Sequence, residues 1–172
     1  MVWLCAGVRC GLLLCAAILA LPSASAAPVK LAVFTFELDD FSPAIATGAE
    51  DAADIARLSS VTEDVRKALA ESGKYALIGV EGTDAPAAKS RTLRDCNGCE
   101  AALALKLGAE QSLIGVVKRI SRTEYQVRFQ LRDAKTGAII AEADSGLRMG
   151  AMDSWNRGAL RLIKDRLLRN PG

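Results

Sequence analysis

The sequence predicts a single α/β domain of the α+β kind, with a mixed sheet and helices mainly on one face. Three observations carry this. Early in the chain, short β-branched and aromatic runs alternate with stretches of 3.6-residue apolar period, a pattern that asks for parallel crossovers. Residues 125–132 then alternate apolar and polar side chains without a break, the mark of a half-buried strand. No internal repeat or low-complexity tract divides the chain. Residues 27–172 suffice for one domain to bury about two-thirds of its unfolded surface.

Residues 1–26 read as a signal peptide. Arg9 is their only charge, the apolar run from Cys10 to Leu21 falls short of the ~20 residues a membrane span needs, and Ala24-Ser25-Ala26 fits the small-x-small cleavage rule before Ala27. An uncleaved anchor stays open as the alternative. Neither Arg9 before Cys10 nor Leu14 before Cys15 suits a lipoprotein signal. The expected location is therefore periplasmic, with no transmembrane segment after cleavage.

Beyond the leader, Val29–Phe36 predicts the first strand, which Glu37-Leu38-Asp39-Asp40 ends, and 41–48 is a loop around Pro43. Ile55, Leu58, Val65 and Leu69 share a helical stripe. Ser60 with Glu63 fits a capping box, so the helix runs either from about Asp51 or from Val61, and Gly73 closes it. Tyr75–Val80 is the second strand, and 81–94 a polar link. Asn97 and Glu100 repeat the cap-plus-acid spacing ahead of a helix over 98–107 that Gly108 ends. Strands follow at 113–120, 125–132 and 138–143, the last two joined by the 133–137 loop with Gly137 left-handed. Pairing Leu131 with Ile139 and Phe129 with Ala141 keeps one face apolar, sets Arg128 against Glu142 and disfavours a one-residue slip. A helix over 154–168 carries Trp155, Ala159, Leu162, Ile163 and Leu167 on one stripe. The order is β-α-β-α-β-β-β-α, and alternation in the fourth strand leaves the face opposite the core partly wet.

Composition narrows the chemistry. There is no histidine, and Cys96 and Cys99 are the only cysteines outside the leader. A formal net charge of +2, part of it Arg9, gives no strong pull on nucleic acid or an anionic membrane. Serine hydrolysis lacks its usual base, so Ser154 beside Asp153 reads as a helix cap. A c-type haem needs CxxCH, and Glu100 stands where the histidine would. Structural zinc wants four Cys/His ligands. Glu37, Asp39 and Asp40 match no calcium loop and read as a polar strand end. Glu142 and Asp144 have the chemistry for acid–base work, but cross-strand ion pairs with Arg128 and Arg132 explain them more simply. No catalytic residue, metal or cofactor is expected.

Cys96-Asn97-Gly98-Cys99 is the one reactive motif. It reads first as a structural disulfide in an oxidising compartment, with thiol exchange and metal binding as alternatives. Cys99, in phase with Leu103 and Leu107, points inward. The candidate partner surface is Lys118, Arg128 and Arg132 on the wet sheet face, within a basic group that includes Arg119 and Arg122. The Leu147–Met152 loop around Met149 adds to it, since exposed methionines favour partner surfaces. A small-ligand pocket beneath the 81–94 link is a weaker idea.

Residues 29–170 resemble an uncharacterised family of exported proteobacterial proteins known by a domain-of-unknown-function label. The likeness is carried by Phe34-Thr35-Phe36-Glu37-Leu38, Arg94-Asp95-Cys96-Asn97-Gly98-Cys99, Leu107-Gly108-Ala109, Arg132-Asp133-Ala134 with Thr136-Gly137, and Ser154-Trp155 with Arg157-Gly158. At a coarser level, Ser72-Gly73-Lys74-Tyr75 and Leu107-Gly108-Ala109 look like the small α/β domain shared by the N-terminal region of Tol translocation protein B and by curli secretion lipoproteins. That likeness implies a non-catalytic protein that binds a protein partner in an envelope complex. The alternative is a periplasmic thiol–disulfide or electron-transfer protein using Cys96 and Cys99.

Overall fold

The computed structural model describes residues 27–42, 48–80, 92–121, 123–150 and 154–169. The leader, the Pro43 loop, most of the 81–94 link, Arg122, Met152 and Asp153 lie outside the described residues. The strands are β1 (Val29–Val33), β2 (Glu37–Asp40), β3 (Tyr75–Ile78), β4 (Gln111–Arg119), β5 (Glu124–Asp133), β6 (Ile139–Asp144) and β7 (Arg148–Met149). The helices are α1 (Gly48–Glu71), α2 (Cys99–Lys106) and α3 (Trp155–Ile163), with α3 continuing as a π-turn over Lys164–Leu168. The mixed sheet runs β3-β1-β4-β5-β6. β1 and β2 both lie parallel to β4, while β5, β6 and β7 are antiparallel neighbours. The predicted order holds, with the first strand broken in two and a short strand added at 148–149.

The break in the first strand has a physical cause. Leu31 pairs with Gln111, but Glu37 pairs with Val116, so β1–β2 carries one residue more than its partner. The groups freed by this bulge are taken up by α1. Arg66 donates to the Val33 carbonyl from Nε and Nη2, and the Phe36 N–H donates to Thr62 Oγ1 at 2.9 Å. The bulge also shifts the alternation. Leu31, Val33 and Phe36 face one core and Ala32 and Phe34 the other, so Glu37 and Asp39 point away from α1. Glu37–Asp40 therefore continues the sheet, where the sequence reads it as the strand's end.

α1 and α3 cover one face over a core of Leu58, Val61, Val65, Leu69, Phe129, Leu131, Trp155 and Ile163. Each such fully buried side chain contributes roughly 1.5–3 kcal/mol. α1 is one continuous helix, so Ser60 does not cap it. Ile55 is exposed and Asp54 takes its place on the inner stripe, bound by Arg57 and Arg119. α2 lies on the opposite face against Ala32, Phe34 and Ile114. This follows from the crossovers: the chain moves from β1 outward to β3, then back past β1 to β4. Right-handed connections in opposite directions require opposite faces. With only eight residues, α2 touches β5 through Glu100 at Arg132 and leaves the rest of that face of β5, and β6, uncovered.

The β5–β6 register differs from expectation by two residues. Leu131 faces Ala141, Phe129 faces Ala143 and Arg128 faces Asp144. Asp133 Oδ1 accepts from the N–H groups of Lys135 and Thr136, and Asp133 N–H bonds the Ala138 carbonyl. Continued without interruption, that tight turn would put Ala141 on the polar face. A bulge that leaves Ile140 unpaired restores parity from Ala141 onward, so Ala141 and Ala143 lie on the predicted face. Ile139, expected on the apolar face opposite Leu131, instead pairs with Arg132 and is exposed.

Candidate functional site

Beyond α2 the second face of the sheet is uncovered. β5 presents Gln126, Arg128 and Gln130 there, because Tyr125, Val127, Phe129 and Leu131 are committed to the α1–α3 core. β2 adds Asp39, β4 adds Val116 and Lys118, and β6 adds Glu142 and Asp144. Two adjoining cavities form on this face. One, of about 140 Å³, is walled by the turn over 93–95 and the start of α2, with Arg94, Asn97, Glu100, Gln130 and Arg132 among its lining. The other, of about 260 Å³, runs from Asp39 and Lys118 across to Glu142 and Asp144. Arg128 and Val116 line both, so the cavities form one trough.

The wall at its closed end is built by charge. Glu37 accepts from the N–H groups of Leu93 (2.6 Å) and Arg94 (3.2 Å), and Arg94 Nη1 donates back to Glu37 Oε2 and to the Leu38 carbonyl. Sheet and 93–95 turn are thereby clamped together. Cys96 and Cys99 are joined in a disulfide, with Asn97 at φ 48° and Gly98 at φ 108°, both left-handed. Gly98, not Asn97, precedes the first helical residue, and no side chain caps the helix. Asn97 Oδ1 instead accepts from Arg132 Nη2 at 3.3 Å. The buried stripe of α2 is Glu100, Ala101 and Ala104, one residue on from the expected Cys99–Leu103–Leu107 line, which is half-buried.

Glu100 is the residue sequence reasoning missed. It is 1% exposed, and its Oε1 lies 2.9 Å from Arg132 Nε. The signal was present: a lone acid inside an alanine stripe needs a buried cation, and the capping-box reading supplied a different explanation for it. Arg132 is in turn spent. It also donates to Gln130 Oε1 and the Gly137 carbonyl, and is 9% exposed. Expected on the partner surface, it walls the trough and is not a free charge. The expected cross-strand ion pairs are also absent among the described residues. Glu142 is held by the Gln130 amide and Asp144 by the Gln126 amide and the Gly146 N–H. The Asp144 carboxyl is kept below its ordinary range by the Gly146 hydrogen bond first and Gln126 second.

Lys118, Arg128 and Met149 do lie on the uncovered face. Met149 pairs with Glu124, which alternates with inward Tyr125, and Met149 is 80% exposed. It sits on β7 and not in a loop. The Lys118 ammonium stands 4.3 Å from the Phe41 ring centre, although Asp39 is its cross-strand neighbour.

The three acids weighed for a hard cation are splayed apart: Glu37 to the 93–95 turn, Asp39 to the trough, and Asp40 to Arg119. The one grouping of metal-type ligands among the described residues is Cys96, Cys99 and Glu100. Its sulfurs are joined to each other and its carboxylate faces Arg132, so no free ligand set exists. Among the described residues no helix is long and apolar enough to cross a membrane.

No curated protein matches the chain. Solved structures of similar fold include the LpoB C-terminal domain from Salmonella enterica, at 21% identity, covering 74% of this chain and 87% of that one, with a TM-score of 0.48. The lipoprotein GNA1162 from Neisseria meningitidis is similar at 14% identity, 72% and 82% coverage and a TM-score of 0.49. TolB from Acinetobacter baumannii is similar at 14% identity over 77% of this chain and 25% of that one, with a TM-score of 0.42. The profile of one family matches residues 29–167, and the chain belongs to that family, described as "Protein of unknown function (DUF2380)".

Proposed function

We propose that this protein is a non-catalytic binding or accessory module of the periplasm, exported by residues 1–26, whose partner is a protein that seats on the uncovered sheet face. The observation that carries the reading is the trough itself. β5 is a central strand whose polar face is uncovered beyond Arg132, and that stretch bears the exposed Arg128. A solvated polar face is ordinary for antiparallel strands, so what supports the reading is the charged, walled trough cut into this one. The disulfide contributes by fixing the wall. It holds Asn97 and Glu100 where they grip Arg132, so the trough is preformed.

A thiol–disulfide role is the second reading, favoured by the partial exposure of both cysteines. The surroundings of Cys96 count against it: its Sγ lies 3.8 Å from the buried Glu100 carboxylate and 3.0 Å from the Leu93 carbonyl. Acceptors this close oppose negative charge on sulfur, whereas a reactive cysteine needs a stabilised thiolate.

The test is photo-crosslinking in cells from a reactive residue placed at Lys118, with Ile55 on α1 as control. The reading expects one reproducible adduct from position 118, lost with Arg128→Glu and absent from position 55. Equal yields from both positions, or adducts only from position 55, would reject it.

A further inference from the structure

A net charge close to zero conceals an uneven distribution. From Arg157 to Arg169, α3 and its π-turn carry the basic side chains Arg157, Arg161, Lys164, Arg166 and Arg169 against the single acid Asp165, and the rest of residues 27–172 is net acidic. All of these basic residues are exposed. The cause is the inward stripe: Trp155, Ala159, Leu162 and Ile163 are buried, so the opposite side of the helix faces solvent. Arg157, Arg161 and Lys164, at i, i+4 and i+7, share that outer side.

Little within the molecule neutralises this stripe. Arg157 and Lys164 make no side-chain hydrogen bond or ion pair among the described residues. Asp165 is shared between Arg161 at 3.6 Å and Arg169 at 2.9 Å, so one acid serves two cations. Acids on neighbouring α1 are met elsewhere: Glu63 by Arg66, Glu71 by Lys67 and Asp64 by the Asn156 amide. Arg166 feels Asp144 at the sheet edge and adds less. A helix with its side chains is about 10–12 Å across. From the outer stripe, the acids beyond the sheet therefore lie past the ~10 Å screening length at 0.1 M salt.

Shape selects among anionic partners. The stripe is convex and about 18 Å long, with only a shallow depression of about 410 Å³ over Leu160. A protein partner is held by anchors fitted into desolvated pockets. Long, exposed cations on a convex face offer no such pocket, and respond instead to the charge density of a surface. We propose that the outer side of α3 docks on an anionic phospholipid bilayer, electrostatically and without insertion. The trough lies on the opposite face of the sheet and stays open. Asn156 bonds Ser60 and Lys74 bonds the Leu168 carbonyl, so α3 runs beside α1 from Ser60 onward. Ile55, more than a turn ahead of Ser60, is clear of the contact.

The experiment is co-sedimentation of residues 27–172 with vesicles of equal parts phosphatidylglycerol and phosphatidylcholine, and with vesicles of phosphatidylcholine alone. Binding is expected to the mixed vesicles only, at about 0.1 M salt, and should vanish near 1 M as screening shortens. Each basic residue near an anionic surface is worth about fivefold in partition, so Arg157→Gln with Lys164→Gln should weaken binding roughly 25-fold. Both positions are exposed and without internal partners, so the variant should fold normally. Lys106→Gln with Lys135→Gln makes the same change in net charge at exposed sites away from α3, and should alter binding less than about twofold. No sedimentation, equal sedimentation with both vesicles, or equal weakening by the two double variants overturns the proposal. Capture by immobilised polyglutamate without vesicle binding also overturns it, in favour of an acidic protein. Crosslinking from position 118 is independent of all these outcomes, so the two readings fail separately.

Discussion

Replacing Arg132 by methionine tests whether this arginine is an internal anchor or a surface charge. The substitution keeps most of the apolar stem and removes the cation facing Glu100, whose side chain is 1% exposed. A buried carboxylate left without its partner costs about 3–5 kcal/mol, against 0–1 kcal/mol for a solvent-facing pair. Glu100→Leu should cost less, about 1–3 kcal/mol, because Arg132 keeps the Gly137 carbonyl and Asn97. The double variant removes both charges and should recover much of the loss, since a buried pair exchanged for apolar groups of similar volume is often near neutral. Urea unfolding of all four proteins gives the cycle, with a coupling energy of about 2 kcal/mol or more. Thermal melts should follow at roughly 2–4 °C per kcal/mol. If Arg132→Met costs less than about 1 kcal/mol, the pair is not an anchor, and Arg132 belongs with the partner-facing charges after all.

Three further outcomes follow from the geometry. A Cβ on Gly115 would stand 2.2 Å from the ring of Phe36, which is 1% exposed, so Gly115→Ala should lose about 1–3 kcal/mol by urea unfolding and Phe36→Leu in the same chain should return part of it. The Asp40 carboxyl is held well below its usual range, chiefly by the Arg119 hydrogen bond; its contribution is thus present above the unfolded value near 4 and lost as pH falls toward the lower folded value. Asp40→Asn should accordingly cost roughly 1 kcal/mol at pH 7, discounted for partial exposure, and the difference from the parent should shrink in melts below about pH 4. Replacing Cys96 and Cys99 together by serine should keep the far-ultraviolet circular dichroism and lower stability by about 2 kcal/mol, because so short a loop constrains the unfolded chain little.

What was legible in the sequence was whatever local periodicity determines. The alternation of Tyr125 to Arg132, the α3 stripe and the left-handed Gly137 all have local causes, and the faces of β5 and of 141–144 in β6 came out as expected, while Ile139 did not. What was not legible depended on distant partners. The bulge at 34–36 exists because Arg66 and Thr62, about thirty residues on, satisfy the groups it frees. The bulge at Ile140 sets which residues pair, and alternation is blind to a two-residue shift that keeps the faces. Glu100 illustrates the limit most plainly. Its local spacing suits a cap, but its actual role is fixed by Arg132, which arrives from another strand. At the candidate surface, Lys118, Arg128 and Met149 were readable because strand parity exposes them. That Lys118 stands over Phe41 although Asp39 is its cross-strand neighbour was not.

The most direct measurement is hydroxyl-radical footprinting of the protein alone and in its native envelope extract, because large exposed side chains report on both faces. Phe41 and Met149 belong to the trough side, at 58% and 80% exposure, and Ile55 to the α1 side at 65%. Oxidation of Phe41 and Met149 should fall in the extract while that of Ile55 is unchanged. Protection of Ile55 with Phe41 and Met149 still fully oxidised would contradict the account.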